Sequence, residues 1–176
     1  SGFNMAYADI NLDEKIDIIA ASDQGLVWIQ QPQNIDSAWI PHKIGAFDPD
    51  IITGIIAADI NQDGRTDVFA GGYSRGSRVS EKTVSVHDPL GRLGWFENNG
   101  TENNWTRHDI SRRKRGMFDK FLAKDLDSDG DIDVIGTRGN SQNLDGVFWL
   151  EQIRTKSPVR AFSPARSDDS ESMPLP

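Results

Sequence analysis

The stretch "DLDSDGDIDV" (Asp125–Val134) places five aspartates in nine residues, directly ahead of an apolar run. Carboxylates that close repel one another, and a bound cation is the direct way to neutralise them. The same arrangement occurs as "DINQDGRTDV" (Asp59–Val68) and "DINLDEKIDI" (Asp9–Ile18). In the third copy the spacing is Asp125-x-Asp127-x-Asp129-Gly130-Asp131-x-Asp133. Oxygens at positions 1, 3 and 5 converge on one point. Glycine at position 6 allows a sharp turn, position 7 offers its carbonyl, and position 9 adds a carboxylate. This hard-oxygen set suits Ca²⁺. The second copy offers Asp59, Asn61, Asp63, the carbonyl of Arg65, and Asp67, with Gly64 at the turn. The first offers Asp9, Asn11, Asp13 and Asp17, but Glu14 stands where glycine should be. A side chain there disfavours the left-handed turn, so this site is expected to be weaker, distorted or empty. An EF-hand needs a Glu at position 12 and flanking helices. Position 12 is Ala20, Ala70 or Gly136, and the flanks are β-branched. The same flanks disfavour a dockerin-like loop, which a helix should follow.

Working outward, each loop sits inside a larger repeat. Before it lies an apolar segment: "MAYA", "ITGIIAA" or "MFDKFLA". After it comes "IDIIAAS", "TDVFAGG" or "IDVIGTR", then an aromatic strand, "GLVWIQ", "RLGWFE" or "GVFWLE". Two copies add a fourth segment of the form Trp-x-x-His-x-Ile, "WIPHKI" (39–44) and "WTRHDI" (105–110); the third copy lacks it. Asn-Gly and Asp-Gly steps punctuate the strands, and no segment carries sustained helical periodicity. The second repeat carries a long insertion at 73–92. The chain therefore reads as all-β, with three repeats of four-stranded antiparallel propeller blades at about 3–46, 51–112 and 117–152. Residues 153–176, rich in Pro, Ser and charge, read as an extended tail. Three blades are fewer than the roughly four to eight of a closed propeller. The remaining blades are expected from a longer parent chain or from oligomer partners.

Composition narrows the function classes. The net charge of −8 argues against a nucleic-acid partner. No apolar run is long enough to span a membrane, and no stretch at the start reads as a signal peptide. With no cysteine, disulfides are excluded. Charge is unevenly spread, however. Up-and-down connectivity puts the acidic loops on one face. It puts the insertion, the link 111–116 and the loop 138–145 on the other. That second face should be basic, and Arg75, Arg78, Arg112, Arg113, Arg115 and Arg138 are candidates for an anionic ligand.

The loops "DINQDGRTDV" and "DLDSDGDIDV", with the strands "GWFENNG" and "FWLEQ", resemble FG-GAP/VCBS-type propeller repeats. Such repeats occur in integrin α-subunit propellers, fungal propeller lectins and secreted bacterial proteins. The resemblance covers about residues 3–152. It implies structural Ca²⁺ between the first two strands of a blade, and an extracellular, periplasmic or cell-surface location. It implies a binding or scaffold module for carbohydrate or protein ligands, acidic ones included. The alternative is the propeller part of a carbohydrate-active enzyme of polysaccharide-lyase type, with its site on 73–92 and 138–145. His87 and Tyr73 are then the acid–base candidates. Trp28, Trp95 and Trp149 are expected to pack between blades, and the recurrence of His42 and His108 favours a structural role.

Overall fold

The computed structural model describes residues 4–74, 84–154, 172–173 and 175. The chain forms three antiparallel sheets in sequence order. The first joins β1 (Met5–Ala8), β2 (Asp17–Ser22), β3 (Gly25–Gln30) and β4 (Ile40–Gly45) in that order. The second joins β5 (Ile51–Ala58), β6 (Asp67–Tyr73), β7 (Gly91–Asn98) and β8 (Trp105–Arg113) in the same way. The third, among the described residues, joins β9 (Phe121–Lys124), β10 (Asp133–Arg138) and β11 (Gly146–Leu150), with β10 in the middle. Among the described residues the one helical piece is a 3-10 turn at Gln142–Leu144, so none is long and apolar enough to cross a membrane.

Each sheet is a simple meander, so successive strands pair with their sequence neighbours. The first strands lie side by side, β1 against β5 and β5 against β9, and β4 meets β8 at the outer side. The sheets thus stand face to face like propeller blades. The middle blade is covered on both faces. Consequently β6, "DVFAGGY", is buried at six successive positions rather than at alternate ones. Its even-numbered residues, Val68 and Ala70, join Ile19, Leu26, Trp28 and Phe96 in the core between the first two sheets. Its odd-numbered Phe69 faces the other way, into a core with Leu93, Phe118, Phe121 and Val134. A period of two along one strand therefore serves two interfaces.

The links between blades are also core elements. Phe47 is fully buried and stacks on Phe96 at 5.2 Å between ring centroids. Phe118 meets Phe148 edge-on at 5.6 Å. The segment expected to begin a strand at Met117 does so only at Phe121. Met117 instead makes isolated bridges to Tyr73 and Gly139, which ties the link to both neighbouring sheets. Phe118 approaches so closely that a side chain on Gly54 would collide with its carbonyl oxygen, and one on Gly71 with its Cβ. Backbone cannot step aside as a flexible side chain can. Gly54→Ala should therefore destabilise the protein by about 1–3 kcal/mol, the usual cost of overpacking, seen as a lower urea midpoint.

Candidate metal centre

All three acidic loops share one backbone trace. Position 4 is left-handed in each, at Leu12 (φ 60°), Gln62 (φ 59°) and Ser128 (φ 69°). Position 6 is left-handed too, at Glu14 (φ 68°), Gly64 (φ 87°) and Gly130 (φ 96°). The substitution of Glu14 for glycine has not distorted the first loop. Side-chain carboxyl and amide oxygens hold the trace through turns onto nearby N–H groups. Asp9 accepts from the N–H groups of Asp13 and Glu14, and Asp59 from those of Asp63 and Gly64. Asp125 accepts from Ser128 and Gly130. Asn11, Asn61 and Asp127 each accept from position 5. These bonds offset the left-handed strain at Glu14 locally.

Position 9 has a role that motif spacing does not reveal. Asp17, Asp67 and Asp133 are buried. Each uses one oxygen for its own loop and the other for the end of the third strand. Asp17 takes N–H bonds from Ile10 (3.1 Å) and Gln31 (2.8 Å). Asp67 takes them from Ile60 (3.0 Å) and Asn98 (2.8 Å), with a longer one from Asn61. Asp133 takes them from Leu126 (3.0 Å) and Gln152 (2.9 Å). Burial pushes the Asp67 carboxyl up to about 6, against those N–H bonds. Asp17 is raised by burial in the same way. The repeat of this bridge in every sheet marks it as part of the fold.

The loops differ at position 7. In the first, Lys15 donates to Asp13 at 3.2 Å. Desolvation works against it, but bonds from Lys15 and Asn11 hold the Asp13 carboxyl below its ordinary value. In the second, Arg65 pairs with Asp63 and donates from Nε to the Asn98 carbonyl at 2.6 Å. Each loop thus carries its own cation beside the position-5 carboxylate. The third has Asp131 at this place, 4 % exposed, and its buried Oδ1 has no hydrogen-bond partner. Burial, then the like charges of Asp129 and Asp133, push Asp131 up to about 6. Asp125, Asp127 and Asp133 bring one carboxylate oxygen apiece within 4.8 Å of one another. An all-oxygen donor set with an orphaned buried carboxylate oxygen beside it fits a hard divalent cation. The sequence signal was available: a basic residue at position 7 separates the first two loops from the third.

On the opposite face, among the described residues, Arg92 and Arg112 turn inward. Arg112 is 2 % exposed and grips Asp50 with Nε and Nη2, both at 2.8 Å. It also donates to the carbonyls of Val86 and Asp88. Arg92, fully buried, lies 2.7 Å from Asp50 as an ion pair and reaches Asp109 at 3.2 Å. Arg112 is therefore a structural cation rather than a ligand contact, because Asp50 on the preceding link reaches in to neutralise it. Arg113 bonds Ser172, and Arg138 donates to the Arg115 carbonyl at 2.7 Å. Arg75 and Arg78 lie outside the described residues. Tyr73 ends β6, while His87 sits in an exposed turn. Among the described residues no hydrogen bond or ring contact joins them. His42 and His108 stack on Trp28 and Trp95, at 4.2 and 4.3 Å, as directly opposed cross-strand pairs. Trp28 is 1 % exposed, but Trp149 is 49 % exposed, because no sheet or fourth strand covers it among the described residues.

Two substitutions separate these roles. Asp67→Ala strands buried N–H donors and should cost at least about 1–3 kcal/mol in urea unfolding; Asp67→Asn, which keeps one acceptor oxygen, should cost less. Asp50→Ala leaves two guanidinium groups buried without their shared carboxylate. It should cost about 3–5 kcal/mol in the same measurement.

A family model described as "FG-GAP-like repeat" matches residues 9–70. That span runs from the first acidic loop through the second and into β6. No curated protein matches the chain. With its three antiparallel sheets and repeated loops, the chain carries an FG-GAP-type repeat.

Proposed function

We propose that the chain is a propeller scaffold stapled by one Ca²⁺ at the third acidic loop, working outside the cytoplasm as a binding module for carbohydrate or protein ligands. The observation that carries the metal reading is the contrast at position 7. Lys15 and Arg65 each pair with a carboxylate of their own loop, whereas Asp131 puts a further carboxylate at the same place. Asp125, Asp127 and Asp133 would hold the ion, with Asp129 and Asp131 adding negative charge beside them. A cation there supplies charge compensation and closes the loop between β9 and β10, so its binding stabilises the folded state. In the first two loops Lys15 and Arg65 already take up part of the carboxylate charge. A short loop of this kind suits the weak sites of extracellular modules, with dissociation constants on the order of 10⁻⁴–10⁻³ M. The location outside the cytoplasm rests on that match and on the family resemblance, as does the ligand class.

Calorimetric titration should find one Ca²⁺ site per chain, and Ca²⁺ should raise the melting midpoint relative to chelator. Asp127→Ala should abolish both effects. Position 3 is asparagine in the other two loops, Asn11 and Asn61. Asn11→Ala and Asn61→Ala therefore probe the same place in the motif, and both should leave the stoichiometry at one. An unchanged midpoint together with no binding heat would remove the metal from the proposal. A glycan array probed in Ca²⁺ and again in chelator tests the ligand class, and binding that needs Ca²⁺ is the expected result.

A further inference from the structure

The two interfaces between blades are built from equivalent residues but are not equally filled. At the first, Ile10, Ile19, Trp28, Ile44, Val68 and Phe96 are all buried. Trp105, which opens the fourth strand of the second sheet, packs against that core. The turn before it brings Glu102 to the same place. The Glu102 carbonyl accepts from Trp28 Nε1 at 3.5 Å, and its carboxylate lies 3.8 Å from His42. At the second interface the counterparts are Ile60, Phe69, Trp95, Ile110, Val134 and Leu150. The third sheet has no fourth strand among the described residues, and these six line a groove of about 210 Å³, with Ile153 exposed at its rim. Trp95, Ile110 and Leu150 are only partly buried there. The groove lies where Trp105 sits one interface earlier.

Among the described residues the edge beside it is open as well. β11 pairs with β10 on one side only. Trp28 and Trp95 each stack on a histidine of the next strand, in register. Trp149, their counterpart on β11, remains half exposed, and Val147 on the same face is more exposed still. An open edge with an apolar face invites strand addition.

We propose that β11 and this groove form a docking site for an added extended strand of the Trp-x-x-His-x-Ile type, supplied from outside residues 4–154. The strand pairs antiparallel with β11, its aromatic side chain fills the groove, and its histidine, three residues on, stacks on Trp149. The two strands of this type within the chain, β4 and β8, show the chemistry required: an aromatic to fill the space, a histidine to stack, and backbone to pair. Ile132 and Val134 of the groove flank Asp133, so binding is measured both in Ca²⁺ and in chelator; docking rests on strand pairing and apolar filling and is expected to hold in both.

The probe is a synthetic peptide with the sequence of residues 104–113, labelled and added to the full chain. Anisotropy should show saturable one-to-one binding. Replacing the peptide's counterpart of Trp105 or of His108 with alanine should weaken it at least tenfold. Ile153→Asp in the protein, which puts a charge at the exposed rim, should weaken it to a similar extent and leave the melting midpoint unchanged. Trp149→Ala should remove the stacking contribution in the same assay. Absence of saturable binding, or equal binding by the tryptophan-free peptide, overturns the proposal. So does sedimentation showing that the chain covers this edge by self-association that Trp149→Ala abolishes.

Discussion

Each sheet is tied at its acidic end by one buried carboxylate that serves two pieces of backbone. Asp17, Asp67 and Asp133 hold their own loop with one oxygen and the end of the third strand with the other. A buried carboxylate is tolerable only when its lone pairs are used, and here backbone donors use them. The loop geometry, the closing of the blade and the placement of the next sheet all follow from that bridge. Asn98, whose N–H is held by Asp67, reaches on to the Ile10 carbonyl of the neighbouring loop. Arg154 makes the corresponding reach to the Ile60 carbonyl from the third sheet. The acidic face is thus a chain of linked loops, and the second loop also touches the third through Gln62 and the Gly130 carbonyl.

Much of this was legible in the sequence, for identifiable reasons. Loop spacing and strand alternation are local, so the repeats, the order of strands and the missing fourth strand could be read directly. The stacking of His42 and His108 on tryptophans is nearly local too, since hairpin register fixes cross-strand neighbours. The fate of the arginines was not legible. Asp50 lies 42 residues before Arg92 and 62 before Arg112, and nothing in their own neighbourhoods announces a shared carboxylate. Loop connectivity correctly put them on the face opposite the acidic loops, but which face a residue is on does not say whether its side chain turns inward. Trp149 failed the other way. The repeat predicted packing, yet the third copy's lack of a Trp-x-x-His-x-Ile segment was visible in the same sequence.

On the face away from the acidic loops, buried charge is handled by pairing. The Asp50 cluster keeps two guanidinium groups out of water with one fully shared carboxylate and the partly exposed Asp109. Such a buried cluster is costly to break and contributes less to net stability than its short distances suggest. Its effect is geometric: it fixes the link before β5 against β7 and β8, so that Phe47 seats between the sheets with the Arg92 guanidinium 5.4 Å above its ring.

The shared trace of the three loops has a consequence for how such repeats can diverge. Lys15, Arg65 and Asp131 occupy the same place on the same backbone, with the same two left-handed residues ahead of them. Whether a loop brings its own counter-charge or leaves that task to the surroundings is decided by one side chain, with no change in the turn. On the proposed metal reading, dependence on an external ion is gained or lost blade by blade, as an interchangeable fitting on a fixed frame.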